Sequence, residues 1–282
     1  LDPILIFGVG PVPAMGLNGA AMAALLARAA IFIGTLYLMR HRLDMVSFKK
    51  PDPGELRQSW RDILHVGIPA AGTNIIVPVG ATVVTAMIAR FGPDAVAGFG
   101  VASRIESMML VMYYALSAII GPFVGQNFSA GKEERILRAL WLCTAFCLGS
   151  GLVIAGLLAW MSGWLPGLFS DSESVRQVTA MFLWIVPLSY GTYGMVMVMN
   201  ASFNGLGYPM PGVFISVSRI VVLYIPVALI AMQFFDIAGI FAAYAIANIV
   251  SGLGAYVWAR NTVRNRCAEE AVLRKAAAEA RP

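Results

Sequence analysis

Charged side chains set inside long apolar runs are the groups in this sequence with the most chemistry to offer. Four stand there: Arg28, Arg104, Glu106 and Arg219. A charge at the centre of a membrane-crossing helix costs about 2.5 to 3.5 kcal/mol on insertion scales, so each needs a partner, water or a function. Glu106 is the only carboxylate well inside a complete apolar run. Two roles are open to it: an ion pair with Arg104 or Arg219, or a protonatable group in ion coupling. Neighbouring bases favour the pair.

Uncharged polar groups recur at helical spacing in two of the same runs. Tyr190, Tyr193, Met197, Asn200 and Asn204 follow one another at steps of three and four, so they share a helix face. Glu106, Met109, Tyr113 and Ser117 do the same further upstream. Such stripes either hydrogen-bond to a neighbouring helix or line a wet cavity, and the sequence leaves both open. Methionine is adaptable and polarizable, which suits a wall that accepts varied amphiphiles. Catalytic chemistry finds no support. The two histidines, His41 and His65, flank a polar linker with no cluster at metal-ligand spacing, so neither a metal nor a cofactor is expected. The glycine-rich pieces do not join a strand to a helix as a phosphate loop would. Cys143 and Cys147 lie four apart on an apolar helix and Cys267 lies near the end, so no disulfide framework is indicated.

The elements that must hold these groups follow from composition. Charged residues make up 12% and apolar residues 59% of the 282, and mean hydropathy is +0.76. Soluble domains carry roughly a quarter charged residues, so this is an integral membrane protein. Seven apolar runs near the ~20 residues needed to cross hydrocarbon as a helix can be marked. They are approximately Met15 to Met39, Leu64 to Phe91, Ala95 to Phe128, Ile136 to Leu165, Val175 to Phe203, Met210 to Phe235 and Ala238 to Ala259. None alternates in the two-residue pattern of a transmembrane barrel. The expectation is an all-α polytopic bundle of about seven spans.

The net charge of +5 is explained by placement and not by a nucleic-acid partner. Fifteen of the twenty Lys and Arg fall in Arg40 to Arg61, Lys132 to Arg138 and Arg260 to Arg281. The alternate connections hold only Arg90 and Arg176. The positive-inside rule then sets the C-terminus in the cytoplasm. Trp160, Trp164 and Trp258 stand where interfacial anchors are expected.

Four segments are read along the chain: residues 1–40 (an outer remnant plus one span), a cytoplasmic linker over 41–63, a six-helix lobe over 64–260 and a tail over 261–282. The chain starts at Leu1 with what looks like a span already under way, so its beginning reads as truncated. Shifting the first span by 220 residues aligns Gly19 with Gly239, Ala23 with Ala243, Ala27 with Ala247, Gly34 with Gly254 and Arg40 with Arg260. That is the pattern of a parallel repeat about an axis along the membrane normal. Pro69, Pro78, Pro122, Pro187 and Pro226 lie inside spans, where breaks are tolerated if protein or a cavity covers the freed carbonyls.

Several segments taken in order resemble the multidrug and toxic compound extrusion (MATE) family: LDPILIFG with GLNGAAMA, AGFGVASRIES, PFVGQNFSAGKEERI, IVPLSYGTYGMVMVMNASFNGLGYP and GIFAAYAIAN. The resemblance implies the last helix of the N-terminal lobe plus the six-helix C-terminal lobe of a twelve-span fold, with the rest of the N-terminal lobe as its missing partner. It further implies an antiporter that exports organic cations and other amphiphiles in exchange for H+ or Na+ by alternating access. One branch of the family places coupling acids in the C-terminal lobe. At the matching places this chain has Val77 with nearby Asn74, and Gly207, Tyr208 and Pro209, so it departs from that branch. Another branch uses the Asp of an LDP segment, and Asp2 stands there. On this resemblance Asp2 helps to bind the coupling ion, and the tyrosine, methionine and asparagine faces line the cavity. A lipid or lipid-linked oligosaccharide flippase of related architecture is the nearest alternative, and a seven-span receptor a weaker one.

Overall fold

The structure, a computed structural model, describes residues 2–8, 13–44 and 52–279. These residues are helical throughout, with no strand among them. They fall into two compact units, 1–59 and 60–282.

The first unit holds α1 (Asp2–Phe7) and α2 (Gly16–His41). A Cβ at Gly19 would run into the backbone carbonyl of Leu5, so α1 and α2 touch at a residue with no side chain. Most of α2's apolar side chains are exposed within the unit, Leu17, Ile31 and Phe32 among them.

The helix α3 (Pro53–Ile88) begins eleven residues before the expected span, inside the stretch read as linker. Local chemistry accounts for the early start. Asp52 accepts a hydrogen bond from the Gly54 amide on its side chain at 3.1 Å and from the Leu56 amide on its carbonyl at 2.9 Å. Pro53 then occupies the first helical position, where its missing N–H costs nothing. At the other end a 3-10 turn (Ala89–Phe91) leads to Gly92, whose φ of +103° suits only glycine, and Pro93 opens the next helix.

That helix, α4 (Pro93–Ser129), runs unbroken through Pro122 and through Gly125, Gln126 and Asn127. The turn that ends it falls at Ala130 and Gly131, where the Lys132 amide reaches back to the Asn127 carbonyl at 2.9 Å. The helix α5 (Glu133–Met161) starts with two acids against its positive dipole end. The next span, Glu173–Gly205, is broken at Pro187 into α6 (Glu173–Ile185), a 3-10 turn (Val186–Ser189) and α7 (Tyr190–Gly205). Most of α7 is buried, whereas α4 and α5 each keep an exposed face, so this span is the central one of the unit.

Glycines let its neighbours approach it closely, as small residues do between helices in lipid. Gly121 and Gly125 of α4 meet the carbonyls of Ala201 and Gly205, and Gly151 of α5 faces Gly191. Tyr113 of α4 lies across Gly194, where an added Cβ would stand 2.6 Å from the ring.

The chain closes with α8 (Met210–Val217), a π-helical segment (Ser218–Tyr224) and α9 (Ile225–Glu279). The last is two helices joined at a sharp break. Phe235 and Asp236 are non-helical, and Asp236 has φ +49°, a region aspartate tolerates better than most residues. Among the described residues, five stretches are long and apolar enough to cross a membrane: Gly16–His41, Pro93–Ser129, Glu133–Met161, Glu173–Gly205 and Met210–Val272. The last, of 63 residues, contains the Asp236 break and thus the final two expected spans, and Pro78–Phe91 is a shorter apolar stretch at the end of α3. The tail continues as helix to Glu279.

Candidate functional site

A cavity of ≈ 250 Å³ opens inside the second unit. One face of α4 supplies Phe99, Ser103, Glu106, Leu110 and Tyr114, spaced by three and four residues. Phe182 comes from α6, Tyr193 from α7, and Phe241 and Tyr244 from α9. Phe99, Phe182 and Phe241 form one cluster, with ring centroids 5.1 to 6.4 Å apart. Gly80, Ala81 and Val84 of α3 also line the cavity, so the wall mixes aromatic rings with small and aliphatic side chains and has two charged groups set into it.

The π-helical segment brings the first of these charges into the cavity. Its wider turn spaces hydrogen bonds five residues apart, as the Ile225 amide to Ile220 carbonyl bond shows. Residues five apart then share a face, and Arg219 and Tyr224 both line the cavity. In a regular α-helix they would diverge. Pro226, with no N–H to donate, lies just beyond.

The guanidinium of Arg219 is held by neutral groups. Its Nη1 donates to Asn248 Oδ1 at 2.8 Å, Asn248 Nδ2 donates to Ser189 Oγ at 3.1 Å, and Ser189 donates to the Val186 carbonyl at 2.8 Å. The chain of bonds ends at the break in the central span, where Pro187 interrupts the helix. The Tyr193 ring lies beneath the guanidinium carbon at 4.8 Å.

Glu106 takes a different partner. Tyr244 donates its hydroxyl to Glu106 Oε1 at 3.4 Å. Neither Arg104 nor Arg219 brings a nitrogen within 4 Å of it, so the expected ion pair is not made at contact distance. For Arg104 the reason is helical geometry. Residues two apart point to opposite sides of a helix, and Arg104 is exposed on the far side. Arg219 and Glu106 share the cavity but each is bonded to a neutral side chain of α9.

The seven residues expected along the cavity separate. Tyr193 lines it. Tyr113 is fully buried elsewhere, with its hydroxyl 3.2 Å from Ser150 Oγ and 3.4 Å from the Cys147 carbonyl of α5. Tyr190 is fully buried and Met109 and Met197 pack against the apolar core. Asn200 donates to Ser216 at 3.1 Å, which ties α7 to α8, and Asn204 is exposed beyond it. Both stripes pass through true helix faces, but a stripe of tyrosine and methionine marks close helix packing as readily as a cavity. Ser117 donates to the Tyr114 carbonyl of its own helix. Arg28 is exposed on α2, and Asp2 opens α1 with a side chain outside the described atoms, as are those of Asn74 and Val77. The sequence reading passes over Asn248 and Tyr244, although their spacing of four within an apolar segment marks them as a polar pair on one face.

Helices of membrane length, a span broken at mid-depth and an internal cavity with fixed charges define a polytopic bundle of transporter type. The chain belongs to the MatE family, whose family model matches residues 69–230. It is 34% identical over 263 residues to a FAD transporter of Shewanella oneidensis, covering 92% of this chain and 58% of that protein. It is 24% identical over 277 residues to the probable multidrug resistance protein YoeA of Bacillus subtilis, covering 93% of this chain and 59% of that one. Among solved structures it is similar to the Vibrio cholerae MATE transporter VcmN in the bent form, with a TM-score of 0.81 and 28% identity over 94% of this chain and 59% of that chain. The chain thus spans a little under three fifths of the relatives it matches.

Proposed function

We propose that this chain forms the larger part of a secondary active exporter, which moves amphiphilic organic molecules out across the cell inner membrane in exchange for H+ or Na+. The two lobes of such a protein rock around a central cavity, with the C-terminus on the cytoplasmic side. The observation that carries the reading is the aromatic cavity with two fixed charges inside a unit of membrane-length helices. Family membership supports it, and relatives carry names of multidrug resistance proteins. In this reading Asp2 takes part in binding the coupling ion, the bilayer is the protein's solvent, and the remaining helices of an N-terminal lobe complete the cavity.

The substrate class has two supports that point in different directions. Multidrug relatives suggest amphiphilic cations, for which aromatic rings and Glu106 are suitable groups. The FAD transporter relative suggests a flat ring bearing phosphate, for which aromatic rings and Arg219 are suitable.

Efflux from membrane vesicles containing the native protein tests the reading. A fluorescent organic cation and FAD would each be followed under separate proton and sodium gradients, in the parent and in Asp2→Asn. Export driven by one gradient and abolished by the substitution at unchanged protein level is the expected result. Export that survives Asp2→Asn moves the coupling role to Glu106. No driven export of either compound overturns the reading, and a lipid flippase becomes the better account.

A further inference from the structure

We propose that Arg219 and the aromatic wall beside it form a receptor for an anionic group, phosphate or carboxylate, carried on a flat aromatic ring. For its biological role this rests on the export reading above; the binding itself does not. The argument begins with what Arg219 lacks. A guanidinium has five N–H donors in a rigid fork and cannot shed its charge. Here it is only 5% exposed, no carboxylate oxygen of the described residues lies within 4 Å, and its Nε has no hydrogen-bond partner. A structural arginine at such depth would be expected to hold an acid in a two-pronged pair. This one is held by the neutral Asn248, and the carboxylate that lines the same cavity, Glu106, stays beyond 4 Å of it.

A second orphan stands beside it. Tyr224, on the same π-helical segment, is 3% exposed and its hydroxyl also lacks a partner. Both side chains line the cavity. A ligand oxygen that accepts from either would satisfy a buried donor whose burial is otherwise costly. The bonds from Arg219 through Asn248 and Ser189 to the Val186 carbonyl fix the fork in advance, so little ordering is needed on binding. Tyr193 and the Phe99, Phe182 and Phe241 cluster supply faces and edges against which a planar ring packs.

The test is equilibrium dialysis with the purified native protein in detergent, using pairs that share a ring and differ in charge. Riboflavin against FMN probes phosphate, and 2-naphthamide against 2-naphthoate probes carboxylate. The anionic member of at least one pair is expected to bind about tenfold more tightly, the gain of one good charge-assisted bond. Which pair shows the preference names the anion. Inorganic phosphate should compete with FMN and leave riboflavin unaffected. Arg219→Gln, which keeps a donor for Asn248, should bring the ratio to near one without changing the affinity for the neutral ring, and Arg219→Lys should restore part of it. Equal affinities in the parent, no binding of either pair, a ratio that survives Arg219→Gln, or equal loss of both ligands in that variant would each overturn the proposal. Failure of the export reading would show in the vesicle assay alone and leave these ratios standing.

Discussion

Arg219 and Glu106 line one cavity without touching, each tied to a neutral side chain of α9. Their presence is legible, because a charge in an apolar run is conspicuous and costly. Their partners are not, because Asn248 and Tyr244 are uncharged and lie on a helix that follows 29 and 138 residues later. Arg104 misleads for a simpler reason, since two residues of helix separate it from Glu106 by more than half a turn. The neutral character of the Arg219 anchor makes a sharp prediction. Asn248→Asp puts a carboxylate where the amide oxygen accepts the guanidinium at 2.8 Å, which supplies the ion pair that the native protein omits. The ratio of FMN to riboflavin affinity should fall to near one, while the thermal unfolding temperature in detergent holds or rises. Asn248→Ala removes the anchor instead and leaves buried donors unmet, and it should destabilise by about 1–3 kcal/mol. An Asn248→Asp protein that keeps the ratio would show that the guanidinium charge does not select the ligand.

Broken and close-packed helices position this site, and the two features differ in how well they can be read. Proline marks the break in the central span at Pro187, and the structure has its 3-10 turn there. Pro226 marks only that something changes nearby. The π-helical segment before it depends on which carbonyls the packing leaves without partners, and no residue pattern announces that. Glycine reads as a small residue for close approach, and the crossings bear this out. A Cβ at Gly205 would meet the backbone carbonyl of Gly121, and backbone cannot swing aside as a side chain does. Gly205→Ala should therefore force α4 from α7 and destabilise by about 1–3 kcal/mol, in the range of overpacked cores. Gly149→Ala and Gly156→Ala lie on α5 with nothing within 4 Å of the added carbon. These should be neutral or stabilising by up to about 1 kcal/mol, because alanine favours helix over glycine. Thermal unfolding of the three variants side by side separates the two cases, and equal shifts would remove the crossing as the cause.

At the scale of the whole molecule, hydropathy makes the all-helical membrane class plain, and order-preserving motifs carry the family. The count of spans is less direct, since the last two apolar runs form a single helical stretch broken only at Phe235 and Asp236, and α3 starts before its apolar part. The echo between the first and last spans has a structural counterpart. Gly19 stands against the Leu5 carbonyl of the helix before it, and Gly239 stands against the Ala231 carbonyl of the leg before it. This one aligned pair thus marks the same device, a close crossing with the preceding segment, while Gly34 and Gly254, the other aligned glycines, have nothing within 4 Å. Orientation rests on charge alone. Lys132 lies in a connection rich in bases, and Asp171 in one whose only base is Arg176. Both side chains are exposed, and the Arg176–Asp171 contact of 3.5 Å is a surface pair of small energetic weight. Single cysteines at these positions, with Cys143, Cys147 and Cys267 replaced by alanine, can therefore report sidedness with little risk to the fold. A membrane-impermeant maleimide should label Asp171→Cys and spare Lys132→Cys in right-side-out vesicles, and do the reverse in inverted ones. The opposite pattern would turn the chain over in the membrane. It would place the basic connections outside, against the charge bias.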